Sequence, residues 1–406
     1  MKFEDYRIAE SIKKALSELK FKKPTDIQFK AIQPILNGED VLAIAQTGTG
    51  KTAAFVIPAI EMVLQEKKRH GDSHIRCLTL VPTRELAVQI SKVFEEIGKY
   101  SRIKVACLHG GVEQEKQIQS LTAGADVLVT TPGRMFDLIH QGFADISKLK
   151  MLILDEADLM LDLGFYKDVT DTLKHIPKKR QTLFFSATID KKIKKLAYSV
   201  VKNAIRIQIS PKNPVAKNID HAVVFVEMDD KRFFLENILK EYEDKKFVVF
   251  VRTKVRAERV VKAMERVELK SIFLHGGIEQ KERFKILEAF RNGEERVLVT
   301  TDVAARGIDI PDVQYVINYD LPDNPENYVH RVGRTGRGRN RGQALSFCSD
   351  AEVPLLEAIE EYTGEEILQY EVKPEEYDQI IFGSEDSSND WKRLMKQFET
   401  DEWSDK

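Results

Sequence analysis

The segment from Ala45 to Thr52 has the residue types of a phosphate-binding loop. It follows a short apolar run and reads Ala45-Gln46-Thr47-Gly48-Thr49-Gly50-Lys51-Thr52. Gly48 and Gly50 let backbone amides approach phosphate oxygens, because no side chain blocks them. Lys51 can bring a positive charge to the terminal phosphates, and the Thr52 hydroxyl can join a Mg²⁺ shell. The general pattern has glycine where this chain has Ala45, so a nucleotide site is a hypothesis that needs further residues.

Two carboxylates, Asp155 and Glu156, follow the apolar run Met151-Leu152-Ile153-Leu154. At the end of a buried strand, one carboxylate can hold Mg²⁺ while its neighbour orients or polarises a water molecule. The alternative is that residues 155–158 form an acid-rich helix N-terminus. That alternative explains neither the strand nor the phosphate loop upstream. The pair therefore favours nucleotide hydrolysis.

A third cluster, His330 to Arg337, is rich in arginine and glycine. Guanidinium groups that reach a transferring phosphoryl group accelerate hydrolysis by about 10³ to 10⁵-fold, so arginine fingers are one interpretation. The other is a basic loop that contacts RNA phosphates, and Arg331 in particular fits it. The residues alone leave the two interpretations open.

The elements that would position these residues are duplicated within the chain. The heptapeptide Leu108–Gln114 recurs at Leu274–Gln280 with one change, and both copies are followed by the same pentapeptide, at Val127–Thr131 and Val297–Thr301. Only the first half carries the phosphate loop. The repeat predicts two homologous α/β domains that share a single nucleotide.

Short apolar runs alternate with helical patterns, which predicts parallel strands covered by helices on both faces. In the first half we expect strands at Val41–Ala45, Cys77–Val81, Val105–Leu108, Val127–Thr130, Met151–Leu154, Thr182–Phe185 and Ile205–Ile209. In the second half we expect strands at Val223–Val226, Phe247–Val251, Ser271–Leu274, Val297–Thr300, Tyr315–Asn318 and Ala344–Phe347. The polar clusters follow the carboxyl ends of these strands, where open parallel sheets bind ligands.

Length and charge limit the class of protein. A chain of 406 residues accommodates two domains and an appendage. The formal charge of −2 divides into −12 over residues 351–406 and +10 over the rest. A basic body favours a polyanionic partner, with solvated surface charge as the alternative. The three cysteines are scattered, and we find neither a signal peptide nor a membrane-spanning apolar run, so we expect a cytoplasmic protein without membrane contact.

The motifs, in their order and spacing, resemble the DEAD-box family of RNA helicases over nearly all of residues 1–372. The resemblance rests on Phe21 with Pro24–Gln28, Ala45–Thr52, Pro82–Ala87, Gly110–Gly111, Thr131–Arg134, Asp155–Asp158, Ser186–Thr188, Val248–Thr253, Gln280 with Arg283, Val299–Asp309 and His330–Arg337. It implies an α/β fold of two tandem RecA-like domains, each a parallel sheet with helices on both faces. The compact length is typical of bacterial members.

The resemblance also implies a domain assignment. Residues 1–209 would form the ATP-binding RecA-like domain, and residues 218–372 the second RecA-like domain. Residues 210–217, with two prolines, would form the linker between them. Residues 373–406 would form an acidic tail outside the resemblance.

ATP and Mg²⁺ are the cofactors that the resemblance implies. It makes Phe21 stack on the base, Gln28 read the adenine edge and Asp309 contact the ribose, with the whole of Ala45–Thr52 around the phosphates. The implied catalytic residues are Lys51, Thr52, Asp155, Glu156, Arg334 and Arg337, with Thr52 and Asp155 as metal ligands. From its residue type alone, Phe21 is equally a core aromatic. Two departures from the family pattern, Lys20 for glycine and Asp26 for proline, bear on adenine affinity.

Single-stranded and duplex RNA are the implied partners. The implied RNA contacts are Pro82, Thr83, Arg84, Gly111, Thr131 and Arg134 in the first domain and Gly276, Gln280, Arg283 and Thr301 in the second. Small residues and helix starts bind the sugar-phosphate backbone and read no bases, so we expect binding without sequence preference. Ser186, Thr188 and His330 would couple the two sites. ATP and RNA would jointly favour a closed state that unwinds duplexes locally or remodels RNA–protein complexes.

The tail has a pattern of its own. Trp391, Leu394, Met395 and Phe398 recur at i, i+3, i+4 and i+7, which predicts a short amphipathic helix. It would pack on the second domain or dock a protein partner, and we expect the chain to be a monomer. Two other function classes use the same motifs: a DNA translocase, and an ATP-dependent RNA clamp without productive unwinding.

Overall fold

The structure is a computed structural model that describes residues 1–45, 48–70, 74–111, 113–189, 191–209, 215, 218–305, 313–336 and 341–384, except for the side chain of Gln280. The described residues up to position 209 form one compact unit, and those from position 215 onward form another. The predicted linker and the predicted amphipathic segment of the tail fall largely or wholly outside the described residues.

The first unit contains one parallel sheet of seven strands. The strands are β1 (Val41–Ala45), β2 (Cys77–Leu80), β3 (Val105–Leu108), β4 (Val127–Thr130), β5 (Met151–Leu154), β6 (Gln181–Ser186) and β7 (Ile205–Ile209). Their order across the sheet is β3-β4-β2-β5-β6-β1-β7. All seven strands predicted for this half are confirmed to within one residue at each end.

Nine α-helices surround this sheet within the described part of the unit. They are α1 (Glu10–Glu18), α2 (Asp26–Leu36), α3 (Lys51–His70), α4 (Arg84–Gly98), α5 (Gln114–Thr122), α6 (Pro132–His140), α7 (Ala157–Asp162), α8 (Tyr166–Lys174) and α9 (Lys191–Val200). Alternate residues of a strand face opposite sides of a sheet. In β1, Val41 and Ala43 pack in an apolar cluster with α2, α3 and α4, whereas Leu42 and Ile44 pack in a second cluster with α6 to α9. Both faces of the sheet are therefore covered, as predicted.

The second unit repeats this architecture. Its strands are β8 (Ile219–Phe225), β9 (Phe247–Phe250), β10 (Ile272–Leu274), β11 (Val297–Thr300), β12 (Tyr315–Asn318), β13 (Gly342–Cys348) and β14 (Leu368–Gln369). Its helices are α10 (Lys231–Glu241), α11 (Lys254–Arg266), α12 (Gln280–Asn292), α13 (Asp302–Ala305), α14 (Pro325–Val332), α15 (Val353–Thr363) and α16 (Pro374–Phe382). All six predicted strands are present, and β8 begins four residues earlier than predicted. The two-residue edge strand β14 is additional, because it is too short to show a period.

The two sheets have the same strand order. The second runs β10-β11-β9-β12-β13-β8-β14, so each strand takes the place of the strand seven positions earlier in the chain. Leu108 and Leu274 end the edge strands β3 and β10, and the repeated pentapeptide supplies β4 and β11. The sequence repeat is therefore a repeat of the fold.

A buried ion pair lies at the carboxyl edge of the second sheet. The ammonium of Lys231 contacts the carboxylate of Glu352 and donates to the carbonyl oxygens of Tyr319 at 2.9 Å and Phe347 at 3.1 Å. Arg252 donates to the other oxygen of Glu352 at 3.1 Å. Burial alone would raise the pKa of Glu352, but the charge and hydrogen bond of Lys231 hold it below its ordinary value. The pair joins the start of α10 to the segments that follow β12 and β13.

Helix α16 was not predicted. Its sequence is acidic, and most of its side chains are exposed in the structure, so it shows little apolar pattern. Tyr377 anchors it: its hydroxyl donates to Asp230 at 2.9 Å, and its ring lies 4.9 Å from that of Phe234 between centroids. Residues 374–384 therefore pack on α10 as part of the second unit.

Substitution of Lys231 by methionine removes the charge and keeps most of the side-chain volume. Because Glu352 stays buried with one cation fewer, we expect the free energy of unfolding to fall by about 3 kcal/mol. Urea denaturation followed by circular dichroism measures this. Lys245→Met is the control, since its pair with Asp244 lies at the surface and should contribute nothing measurable. Equal stability of the two variants would contradict the prediction.

Candidate functional site

Lys51, Thr52, Asp155 and Glu156 follow strands on one half of the carboxyl edge of the first sheet. Strands β5, β6 and β1 are consecutive neighbours in that sheet. The phosphate loop follows β1, Asp155 follows β5, and Ser186 ends β6. Ligands bind at the carboxyl ends of strands in such sheets. The strand order thus assembles three segments that are far apart in the chain.

The phosphate loop has the backbone that its glycines allow. Gly48 and Gly50 have φ angles of +81° and +92°, which other residues rarely adopt. Lys51 is the first residue of α3 and is only 6 % exposed, and its ammonium has no hydrogen-bond partner within the described residues. A buried ammonium without a partner is costly, and at a helix N-terminus an anion such as phosphate would compensate it. Ala45 is buried as the last residue of β1, and Thr49 is partly buried in the loop.

Asp155 provides a carboxylate beside this ammonium. It is 3 % exposed, and one of its oxygens accepts a hydrogen bond from the amide of Glu156 at 3.0 Å. Burial raises the pKa of Asp155, and the positive charge of Lys51 opposes that rise. The oxygens of Asp155 and of partly buried Thr52 are hard donors that suit Mg²⁺, which takes one or two protein carboxylates together with phosphate and water. In the described ranges no group of three or more His, Cys, Asp or Glu side chains could hold a metal.

Glu156 has a strained backbone. Its φ and ψ angles are +49° and +50°, in the left-handed region, where a residue with a Cβ atom pays roughly 1–2 kcal/mol. It lies between β5 and the first residue of α7 and is partly exposed. Such strain is concentrated at functional sites. Nothing in the sequence indicates this conformation.

Asp158 holds the segment after β6. One carboxylate oxygen of Asp158 accepts from the amides of Ala187 at 2.9 Å and Thr188 at 3.1 Å, and from the Thr188 hydroxyl at 3.4 Å. The hydroxyl of Ser186 is buried with no partner in the described structure. Sequence analysis assigned no role to Asp158, although its place three residues after Asp155 at a helix start was an available signal. This contact links residues 155–158 to residues 186–188.

Gln28 joins the start of α2 to the phosphate loop. Its side chain is 4 % exposed, accepts from the amide of Thr25 at 2.9 Å and donates to the carbonyl oxygen of Gly50 at 3.1 Å. This role in shaping the loop was not predicted, and the adenine contact stays a prediction. The ring of Phe21 is partly buried and meets that of Phe3 edge-on, with 5.7 Å between centroids.

The predicted RNA residues of the first unit follow the other three neighbouring strands, β3, β4 and β2. Thr83 caps α4 by accepting from the amide of Leu86 at 3.3 Å, and Thr131 immediately precedes α6. Helix N-termini present free amides and a positive dipole, which attract phosphates. Gly111 has a φ of +76°, in the turn after β3. On the same segments lie buried Pro82, Arg84 beside Gly110, and partly buried Arg134.

The second unit places its predicted RNA residues at the equivalent strands. Gly276 lies in the turn after β10, Thr301 follows β11, and Gln280 begins α12. Arg283 is buried and donates to the carbonyl oxygen of Ala304 at 2.6 Å. Arg283 therefore connects α12 to α13, a structural role that sequence analysis did not predict.

Arg331 is neither an arginine finger nor an RNA contact. It is 1 % exposed, and its guanidinium donates to both carboxylate oxygens of Asp302, at 2.5 and 2.8 Å, and to the carbonyl oxygen of Asp320 at 2.6 Å. It is a cross-link between α14 and α13. Arg334 is buried, with its Nε donating to the carbonyl oxygen of His330 at 3.2 Å, and His330 is partly exposed. Four predicted site residues lie outside the described residues: Gln46, Thr47, Asp309 and Arg337.

Two family models match the chain. The model "DEAD/DEAH box helicase" matches residues 25–196, and "Helicase conserved C-terminal domain" matches residues 230–339. The ATP-dependent RNA helicase DbpA of Bacillus subtilis is 38 % identical over 374 residues, which are 92 % of this chain and 77 % of that protein. The DEAD-box ATP-dependent RNA helicase RhpA of Helicobacter pylori is 38 % identical over 379 residues, with 93 % and 76 % covered.

Solved structures show the same fold. S. cerevisiae Dbp5 bound to RNA and ADP BeF3 aligns with a TM-score of 0.82 at 32 % identity, over 93 % of this chain and 97 % of that one. Mss116p bound to ssRNA and AMP-PNP aligns with a TM-score of 0.83 at 28 % identity, over 93 % and 80 %. The chain belongs to the DEAD-box family of ATP-dependent RNA helicases, and its two sheets are those of tandem RecA-like domains. No helix among the described residues is long and apolar enough to span a membrane.

The substitution Gly50→Ala should impair nucleotide binding. The alanine Cβ would lie 2.6 Å from the Gln28 amide nitrogen, and the φ of +92° is already unfavourable for alanine. We expect ATP affinity, measured with a fluorescent ATP analogue, to fall at least about 10-fold because the loop must move. Gly38→Ala is the matched control: its φ is +85°, but nothing lies within 4 Å of the new Cβ. Gly38→Ala should lose some thermal stability and keep its affinity, and an equal loss of affinity in both variants would contradict the prediction.

Proposed function

We propose that this protein hydrolyses ATP in response to bound single-stranded RNA and uses the cycle to open short RNA duplexes or to remodel RNA–protein complexes. The observation that carries the proposal is the buried ammonium of Lys51, which has no hydrogen-bond partner among the described residues and lies near the carboxylate of Asp155. Family membership supports the reaction, because the named relatives are ATP-dependent RNA helicases. The cofactor is ATP with Mg²⁺.

Each residue of the ATP site has a proposed role. Lys51 binds the terminal phosphates, and Glu156 orients the attacking water as general base. Mg²⁺, held by Thr52 and Asp155, would neutralise charge on the phosphates when bound. Phe21 and Gln28 select adenine at the other end of the nucleotide. The strain at Glu156 supports its role, because a carboxylate kept in a costly conformation is placed before the substrate arrives.

RNA binds along β3, β4 and β2 through its phosphates. The starts of α4 and α6 lie at the ends of these strands, and both offer backbone amides. Backbone recognition predicts little sequence preference and a strong dependence on salt. The second domain contributes residues at the equivalent strands, from Gly276 to Thr301.

Coupling between ATP and RNA follows from one strand boundary. Strands β2 and β5 are paired, and the amide of Asp155 donates to the carbonyl oxygen of Leu80 at 3.1 Å. The RNA-binding segment 82–84 therefore borders the carboxylates at 155–156. Asp158 extends the connection to Thr188 after β6. A shift at either segment changes the geometry of the other, so each ligand should tighten binding of the other.

Arg334 and Arg337 of the second domain complete the proposal. They supply positive charge to the transferring phosphate in a closed state that ATP and RNA favour together. In this scheme residues 1–209 bind ATP and residues 218–372 respond to it. The protein would act as a cytoplasmic monomer, with residues 373–406 available for a protein partner.

The first test is steady-state ATP hydrolysis without nucleic acid, with single-stranded RNA, and with DNA of the same sequence, for the wild type and Arg334→Ala. We expect strong stimulation by RNA alone and its loss in the variant. Equal stimulation by DNA would favour a translocase instead. No stimulation by either would favour a clamp that needs a partner.

Glu156→Gln keeps the size of the side chain and the left-handed backbone but removes the base. We expect RNA-stimulated hydrolysis to fall at least about 100-fold, because general base catalysis contributes roughly 10² to 10⁴-fold. The ATP-bound form should then hold RNA for longer than the wild type, as measured by dissociation of labelled RNA. Exposed Glu113→Gln should behave as the wild type. Rapid turnover by Glu156→Gln would remove the proposed role.

A further inference from the structure

A cationic cavity of about 380 Å³ lies in the second unit, between the start of α10 and the length of α11. Five of its lining side chains are cationic: Arg232, Arg256, Arg259, Lys262 and Arg266. Asp229 is the one carboxylate among its described lining residues. None of these residues belongs to the motifs of the ATP site or to the predicted RNA contacts.

The cations of α11 form a stripe along the helix. Arg256, Arg259, Lys262 and Arg266 share one face because they are spaced by three or four residues, and the first to the last span roughly 15 Å. Arg259, Lys262 and Arg266 are exposed, and like charges at this spacing destabilise a helix. Glu258 pairs with His275 at 3.1 Å, and Glu265 lies three residues after Lys262 on the same helix. A polyanion bound along the stripe would reduce the repulsion among its cations.

The stripe begins at the edge where the second unit would bind RNA. Helix α11 follows β9, and the side chain of Lys254 in its first turn lies beside Gly276 and Gly277. Arg256, two residues later, pairs with Asp320 at 3.1 Å. From there the stripe runs away from the carboxyl edge of the sheet. A strand that leaves the turn at Gly276 would cross Lys254 at the start of α11 to reach the stripe.

We propose that the stripe binds the phosphates of a single-stranded RNA segment that continues beyond the strand held at the carboxyl edge. Guanidinium groups suit this role because they bind phosphate oxygens through two parallel hydrogen bonds. Among the described lining residues the one aromatic ring is that of Tyr319, and the guanidinium of Arg256 covers it at 5.4 Å from the ring centroid. The contact therefore adds affinity without sequence preference. This inference rests on the RNA-binding function proposed above.

The elongated shape of the stripe favours a polymer over a small anion. Two or more phosphates of one strand fit along roughly 15 Å of helix, whereas a compact polyphosphate reaches only part of it. A protein partner would need an acidic segment of the same length. Single-stranded RNA is favoured because, in the proposed function, it binds at the carboxyl edge of the same sheet, where α11 begins.

The test compares RNA lengths in the full chain. Arg259→Glu with Lys262→Glu reverses two exposed charges of the stripe, and Lys270→Glu with Lys373→Glu is the control, which reverses two exposed charges elsewhere in the unit. Binding of labelled 10-nucleotide and 30-nucleotide RNA is measured by anisotropy with a non-hydrolysable ATP analogue. We expect the stripe variant to lose about 10-fold in affinity for the longer RNA, with a salt dependence shallower by about 1.4 in log–log slope. Its affinity for the short RNA and its maximal ATPase should equal those of the wild type and of the control.

Three results would overturn the inference. Unchanged affinity for the longer RNA would show that the stripe does not bind it. An equal loss for both lengths, or in the control, would show a general charge effect. If stoichiometric tripolyphosphate displaced the longer RNA from the stripe, the stripe would be a site for small anions instead. If RNA did not stimulate the ATPase of the wild type, that result would count against the proposed function and not against the stripe. The two failures are therefore distinguishable.

Discussion

All strands of both sheets are parallel, and this constraint determines where chemistry can occur. Parallel strands end on the same edge, so the order of strands decides which loops become neighbours. In the first unit the strand order divides that edge into two halves. The half after β5, β6 and β1 holds the phosphate loop and the carboxylates. The half after β3, β4 and β2 holds helix starts that suit a nucleic-acid backbone. The pairing of β2 with β5 is the boundary between them. In the proposed function, communication between ATP and RNA therefore needs no long path through the domain.

Most of the scaffold could be predicted from the sequence. Strands such as Val41–Ala45 and Val127–Thr130 are buried on both faces, so they are continuous apolar runs that contrast with the amphipathic helices around them. The repeat was visible because both halves kept the same segments at β3, β4, β10 and β11. The phosphate loop and the Asp155-Glu156 pair are local motifs, and local motifs need no knowledge of folding.

The interactions that hold the site could not be predicted in this way. The bonds from Asp158 to Thr188 and from Gln28 to Gly50 join residues 30 and 22 positions apart, and no periodicity reports such pairs. The left-handed backbone of Glu156 is imposed by its surroundings and opposes its own preference. Arg331 shows the converse case, since a residue type that suits phosphate binding is buried in a bidentate pair with Asp302. In each case tertiary contacts decided between roles that the residue type allowed.

The ion pair at Lys231 distinguishes the second domain from the first. Lys231 is the first residue of α10 and follows the end of β8 by six positions, as Lys51 follows the end of β1 at the start of α3. In the first domain the ammonium has no partner within the described chain, whereas in the second the carboxylate of Glu352 neutralises it from within. Glu352 is thus a counter-ion that the chain itself supplies. Of these two lysines, Lys231 has its charge neutralised among the described residues and Lys51 does not, so in the proposed function Lys51 is the one that meets a phosphate.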